Sequence, residues 1–444
     1  MAECKYEGCN RKAWKKFEYC IFHEPSKDKD ADLFWNGIDR MMKKKDYNFG
    51  GFYFIPRKGE DFIDLREIEF YGTFNISFSK AEFYKDVAFN FCIFNGNVNF
   101  SEIKVSKDSS ISFLGVKFKK WVHFSLTDFP KLTYFTSAVF ENKAIFLGSR
   151  FQGKVFFNDS RFLEEVDFYE TKFMRDMTGK FSGAEFERTE FIENGYWRNA
   201  LLGETNFDKT FFKEPKRHKF YHTDLSKVEF YDTNIEALDF LDPVWSKING
   251  RKGLYNEVLI NNSNKSKEVI WNQQLRSKDE IFSEIETLYR QLKINYENKR
   301  NYPDAGDFYI GEMEMRRRNP KTSRFDRWII LPFYKCVSNY GEDYKRTLYW
   351  IGGLILLSAY SLMFTGMKVK ERIIDYYPSL PQNPNGLKDF GELVNIVARS
   401  IILQPSAFAE STSLGSRIIL TFTTIFGILL IALFTLALRR RFRR

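Results

Sequence analysis

Three cysteines and a histidine crowd the N-terminus in "CKYEGCNRKAWKKFEYCIFH", spaced Cys4-x4-Cys9-x10-Cys20-x2-His23. Three thiolates and an imidazole form a donor set for tetrahedral zinc, and each short-spaced pair can wrap one side of the ion. A segment of about 25 residues has too little core to fold alone, so a bound metal would supply its folding energy. With all four positions filled by protein, the expected zinc is structural and not catalytic. His123, His218 and His222 form no nucleophile–base grouping, and no phosphate-cradling loop occurs, so no enzymatic activity is expected.

The second group of chemically suggestive residues lies near the C-terminus. Two apolar stretches, "TLYWIGGLILLSAYSLMFTGM" (residues 347–367) and "IILTFTTIFGILLIALFTLAL" (418–438), are each about twenty residues long, enough to cross hydrocarbon. Lys345 and Arg346 precede the first and "RRRFRR" follows the second. The positive-inside rule then places both termini in the cytoplasm of a multi-pass cell-membrane protein. Between them, "DFGELVNIVARSIILQPSAF" carries an amphipathic run at 390–403 that is too short to span and leads into a polar stretch. Such a segment (388–408) is expected to be re-entrant, which is tolerated only when buried in protein or lining water.

The order span, short helix, loop, span resembles the two-span pore module of the tetrameric potassium-channel superfamily, over about 100 residues. That resemblance implies a homo-oligomer, expected as a tetramer, with permeant ions passing beside the second span. Ile402, Leu403, Gln404, Pro405 and Ser406 would occupy the constriction, with Gln404 and Ser406 offering polar groups. Arg399 would repel cations or pair with Glu392 or Glu410. Glu410 would form an acidic ring at the mouth or stand as an exposed loop residue, and Gly427 would serve as gate hinge or packing residue. The stretch "SIILQPSA" has no glycine and nothing like the TVGYG filter, so potassium selectivity does not carry over.

These two sites need elements to hold them, and the longest is written in phenylalanine. Of 48 Phe in 444 residues, those at 146, 151, 157, 162, 168 and 173 alternate intervals of five and six. The same alternation extends through Phe124, Phe129, Phe135 and Phe140 and holds in an earlier run, Phe78, Phe83, Phe89, Phe94 and Phe100, before a two-residue slip near Ser106 to Ile111; the pattern resumes at Phe181, Phe186 and Phe191. Five residues turn a helix by about 500°, which would leave alternate rings roughly 140° apart. A flat sheet fails because an odd interval flips the face. What remains is a coil with a corner after each short segment, every segment sending one ring inward. The residue two before every second Phe is small (Ala81, Cys92, Thr127, Ala138, Ser149, Ser160, Thr171) and fits beside the ring.

On those residues the chain resembles the pentapeptide-repeat family. The resemblance implies a right-handed quadrilateral β-helix over residues 49–240, with about 22 residues per coil and eight or nine coils stacked about 4.8 Å apart. Acids and bases nearly cancel in the rod, so acidic DNA mimicry is not expected. The net charge of +10 falls instead around the apolar stretches, which points to a membrane surface and not to nucleic acid.

The expected divisions are a zinc module (1–26), a helical linker (27–48), the β-helix (49–240), a loop-rich linker (241–277), a helical connector (278–345) and the membrane domain (346–444). In the connector, Ile281, Ile285, Leu288, Tyr289, Leu292 and Tyr296 form one apolar face and "NKRNYPDAGD" breaks the helix before a second begins near Asp304. The pair resembles a tetratricopeptide-like hairpin. It would cap the open end of the β-helix or act as a lever. The expected function is an ion channel with a cytosolic repeat domain as sensor or assembly platform. The alternative is a membrane-anchored scaffold that binds a cytosolic protein partner.

Overall fold

A computed structural model describes residues 2–72, 75–174, 183–262, 268–271, 274–376, 386–404 and 409–441. The chain divides into two compact units, Met1–Asn295 and Tyr296–Arg444. Phe181 lies outside the described residues.

The first unit is a β-solenoid. Its strands are mostly two residues long and form four parallel sheets of six, six, seven and eight strands, each sheet one face of the coil. The register repeats the sequence period: Phe118 pairs with Phe140, Phe140 with Phe162 and Phe162 with Phe191. Rings stack along each column, as in Phe113–Phe135–Phe157 at centroid distances of 4.9 Å. Neighbouring columns meet edge to face, as Phe124 meets Phe135 at 5.3 Å, the arrangement ring quadrupoles favour.

Alternate corners are tight turns closed by the amide of the small residue, for example Ser149 N–H to Phe146 O at 3.0 Å. The residue before it sits at positive φ, whether glycine (Gly148, +64°) or not (Glu170, +55°). The small side chains are fully buried. Most of their hydroxyls donate to carbonyls of the preceding coil, as Ser149 does to Phe124 O at 2.6 Å and Thr171 to Phe146 O at 2.8 Å, while the buried Ser160 hydroxyl has no partner. That role explains Ser and Thr beside Ala at this position, since a buried hydroxyl without a partner is costly. Cys92 likewise donates to Leu65 O, and burial pushes its thiol up to about 12, an inert core position.

Both ends of the solenoid are covered within the same unit. Helix α1 (Ala31–Lys43), capped by Asp30, buries Phe34, Trp35, Ile38 and Met41. Phe34 meets Phe54 edge on, and the Trp35 indole donates to Ile55 O. At the other end the described residues of the stretch expected as a loop-rich linker form regular elements. A hairpin pairs Ser246–Ile248 with Arg251–Gly253 through Asn249-Gly250, both at positive φ. Helix α2 (Tyr255–Asn262) follows, then a second hairpin, Glu268–Trp271 with Gln274–Ser277.

Helix α3 (Lys278–Asn298) then presents Ile281, Ile285, Leu288, Tyr289 and Leu292, all buried. Its polar side chains take up open backbone groups of the last coil. Gln291 accepts from Ile235 N–H, and Asn295 donates to the carbonyls of Glu236 and Leu238. The domain expected at 278–345 is therefore divided, because α3 up to Asn295 belongs with the solenoid.

The second unit is helical. Helix α4 (Tyr302–Arg318) starts two residues before the expected position, with Asn301 as cap and Pro303 in the first turn. A π-turn (Asp326–Ile330) leads into α5 (Leu331–Ser338), then α6 (Tyr344–Met363), α7 (Gly386–Ile401) and α8 (Leu414–Arg441). Among the described residues, one helix, Leu414–Arg440, is long and apolar enough to cross a membrane. Helix α6 ends four residues short of the expected boundary. Gly366 at φ +81° turns the chain into a small antiparallel sheet of Met367–Val369, Arg372–Ile374 and Ala409–Ser411.

Candidate functional sites

The ligand atoms of Cys4, Cys9, Cys20 and His23 all lie within 4.8 Å of one another. Gly8, at φ +78°, closes the Cys4–Cys9 loop. A turn in which the His23 and Glu24 amides both donate to Cys20 O puts Cys20 and His23 on one side. Cys20 Sγ stands 3.2 Å and Cys4 Sγ 3.6 Å from His23 Nδ1, and Cys9 Sγ is 3.9 Å from Cys20 Sγ. With metal–sulfur bonds of about 2.3 Å, the edge of a tetrahedron is about 3.8 Å, so the donor set fits a tetrahedral ion.

The surroundings orient these donors. His23 Nε2 faces Gly50 O at 3.3 Å, which leaves Nδ1 to the cluster. The Tyr6 ring stacks on the imidazole at 3.9 Å and Phe52 meets it edge on. Gly51 permits this approach, because a Cβ there would lie 2.1 Å from the Tyr6 ring and hydroxyl. Burial lowers His23 to about 4 and raises Cys20 to about 12. For Cys4 burial again opposes ionisation, but hydrogen bonds led by the Cys20 amide, 3.2 Å from its sulfur, outweigh it and lower its value. A buried cation would offset the charge that several thiolates bring together here. Tyr6 and Gly51 have no signature in the ligand spacing and emerge only from the fold.

In the second unit, α7 packs against α6 and α8. Leu393, Val397 and Ile401 are buried among Ala359, Leu362 and Met363 of α6. Gly427 of α8 sits where a Cβ would be 2.6 Å from Ile401, so α7 and α8 approach closely there. Ser358 and Thr423 share a buried hydrogen bond of 2.8 Å between α6 and α8. The other face of α7 is open and polar: Lys388, Gly391, Asn395 and Arg399 are exposed.

Arg399 donates to Asn395 Oδ1 and meets neither of its two expected acids. Glu392 is 3.6 Å from Arg372, and Glu410, on the short sheet, is 3.8 Å from Lys368. Helix α7 ends at Ile401, and Ile402, Leu403 and Gln404 follow it exposed, with Leu403 at positive φ. Pro405 and Ser406 lie outside the described residues.

Residues 135–178, inside the solenoid, match the sequence family of pentapeptide repeats, nine copies. The uncharacterized protein MJ1147 of Methanocaldococcus jannaschii is 40% identical over 83 residues, a stretch covering 18% of this chain and 18% of that one. No solved structure matches the chain.

Proposed function

We propose that this chain joins a cytosolic pentapeptide-repeat β-solenoid to a membrane-embedded, oligomeric ion-conducting unit, and that Cys4, Cys9, Cys20 and His23 hold a structural zinc. One observation carries the membrane reading furthest. Helix α7 buries its apolar face between α6 and α8 but leaves Lys388, Gly391, Asn395 and Arg399 open.

In hydrocarbon such a face is costly, so water or another copy of the chain must cover it. A closed ring of copies would turn these faces toward a common axis. Helix α6, with twenty residues, rises about 30 Å and α8 more, so each has the length a crossing needs. Ile402, Leu403 and Gln404, at the end of α7, would then stand at the constriction together with Pro405 and Ser406, with Glu410 at the mouth and Gly427 holding α8 against α7. The solenoid, with both ends covered, would serve as assembly platform or sensor.

The test is current through purified chain in planar bilayers, comparing the unsubstituted protein with Asn395→Leu, Gln404→Ala and Glu410→Gln. Discrete openings whose conductance changes in those variants are expected. Folded, oligomeric protein that passes no ions under voltage or tension would overturn conduction and leave a membrane-anchored scaffold. For the metal, about one zinc per chain is expected by elemental analysis, lost in Cys20→Ser. Less than stoichiometric metal in the unsubstituted protein would sink that assignment.

A further inference from the structure

Between α4 and α6 the chain carries an apolar surface that nothing in its unit covers. Phe325, Trp328, Ile329 and Ile330 are exposed by 61, 71, 54 and 43%. With Phe333 and Cys336 they follow helical spacing along one side of the π-turn and α5. The opposite side is fixed: Leu331 packs with Met313 and Tyr340, and Lys335 is held by Glu314 at 2.8 Å. The π-turn has a cause in Pro332, which lacks the N–H that residue 328's carbonyl would take in an α-helix. The wider turn lets three consecutive apolar residues face outward.

The position of this stripe relative to the spans is set by contacts within the same unit. Phe333 meets Phe426 of α8 edge on at 5.6 Å. The Trp350 indole of α6 donates to Cys336 O, and Arg346 donates to Lys335 O. The stripe therefore lies at the polar end of α6, level with its exposed Tyr349 and Trp350. Cations border it: Arg327 lies over the Trp328 ring at 5.6 Å, and exposed Arg324 pairs with no acid among the described residues. Aromatic rings and arginines at one level are what a bilayer's headgroup zone takes.

We infer that residues 323–336 lie flat in the cytosolic headgroup layer, with Phe325, Trp328 and Ile329 below the phosphates and Arg324 and Arg327 bound to anionic lipid. This rests on the membrane reading above. The seated position would fix where the chain leaves α4 and enters the bilayer, so lipid charge would bear on the geometry of α6.

The test reads depth by spin label on the full chain in nanodiscs, in a Cys336→Ser background, with residual labelling of that background subtracted. Labels go at Ile329→Cys, at Leu429→Cys on α8 and at Lys120→Cys on the solenoid. Nickel accessibility at 329 is expected to be several-fold below that at 120, while oxygen accessibility is retained at a level below that at 429. Adding phosphatidylserine to phosphatidylcholine should lower nickel accessibility at 329 further, and R324Q/R327Q should abolish that response.

A 329 label as nickel-accessible as 120, while 429 reads hydrocarbon, would overturn this inference and leave the membrane reading standing. Water access at both 329 and 429 would overturn both. Shielding of 329 from nickel and oxygen alike would mean that protein covers the stripe, and indifference to phosphatidylserine would overturn the anionic-lipid contact.

Discussion

His218 is fully buried inside the solenoid, edge on to Phe212 at 4.7 Å, with neither ring nitrogen hydrogen-bonded within the protein. It takes an interior position beside Gly195, where a Cβ would lie 2.3 Å from its Nδ1. Burial lowers its value from 6.5 to about 3. The folded state therefore keeps it neutral at pH values where the unfolded chain binds a proton. Stability from this residue is complete above pH about 6.5 and is lost progressively as pH falls toward about 3, by at most a few kcal/mol. Denaturant midpoints of the unsubstituted protein and His218→Leu should differ in acid slope across that window. Parallel slopes would remove His218 as the cause.

Phenylalanine is not equivalent along the repeat element. Phe157 is fully buried and stacked on Phe135 and Phe186 at 4.9 and 4.8 Å. Phe157→Ala should destabilise the solenoid by about 3–5 kcal/mol. Phe91, off the ladder at a corner with positive φ, is 56% exposed, and Phe91→Ala should cost about 1 kcal/mol or less. Thermal melts of the two would read the contrast, and equal losses would contradict the column picture. In the helical unit, Gly427→Ala forces a methyl against Ile401. About 1–3 kcal/mol is expected from overpacking, with partial recovery in Gly427→Ala/Ile401→Val. A melt in detergent unchanged by Gly427→Ala would mean that α7 and α8 separate freely.

At the scale of the whole molecule, the open polar face of α7 makes the isolated chain incomplete in hydrocarbon. Native mass spectrometry from mild detergent should therefore give a multiple of the chain mass. Replacing both Asn395 and Arg399 by leucine removes the polar groups that disfavour lipid, and should shift the distribution toward single chains. A monomer from the unsubstituted protein would leave lipid to face those residues and defeat the oligomeric reading.

The period of the repeat could be read without coordinates because each face of the coil makes the same demand: one ring inward and one corner, with a small residue at every second corner. A demand repeated so often leaves a pattern that no other backbone period satisfies. The cluster of Cys4, Cys9, Cys20 and His23 was legible for a similar reason, since residue type and spacing are local. Residues whose role depends on a distant neighbour were not legible. Tyr6 stacks on His23 across a turn, Gly51 matters for the ring it makes room for, and Arg399 passes over two acids for Asn395 on its own helix. The segment 246–254 read as loop, although Asn249-Gly250 is a hairpin signal, because it is held by packing on the last coil and on α3, as Ser246 on Ser226 O and Leu254 on Tyr289. The π-turn before Pro332 and the stripe it opens also belong to tertiary structure. Only the packing of α5 on α4 decides which side of the segment from 325 to 336 is hidden and which is left exposed.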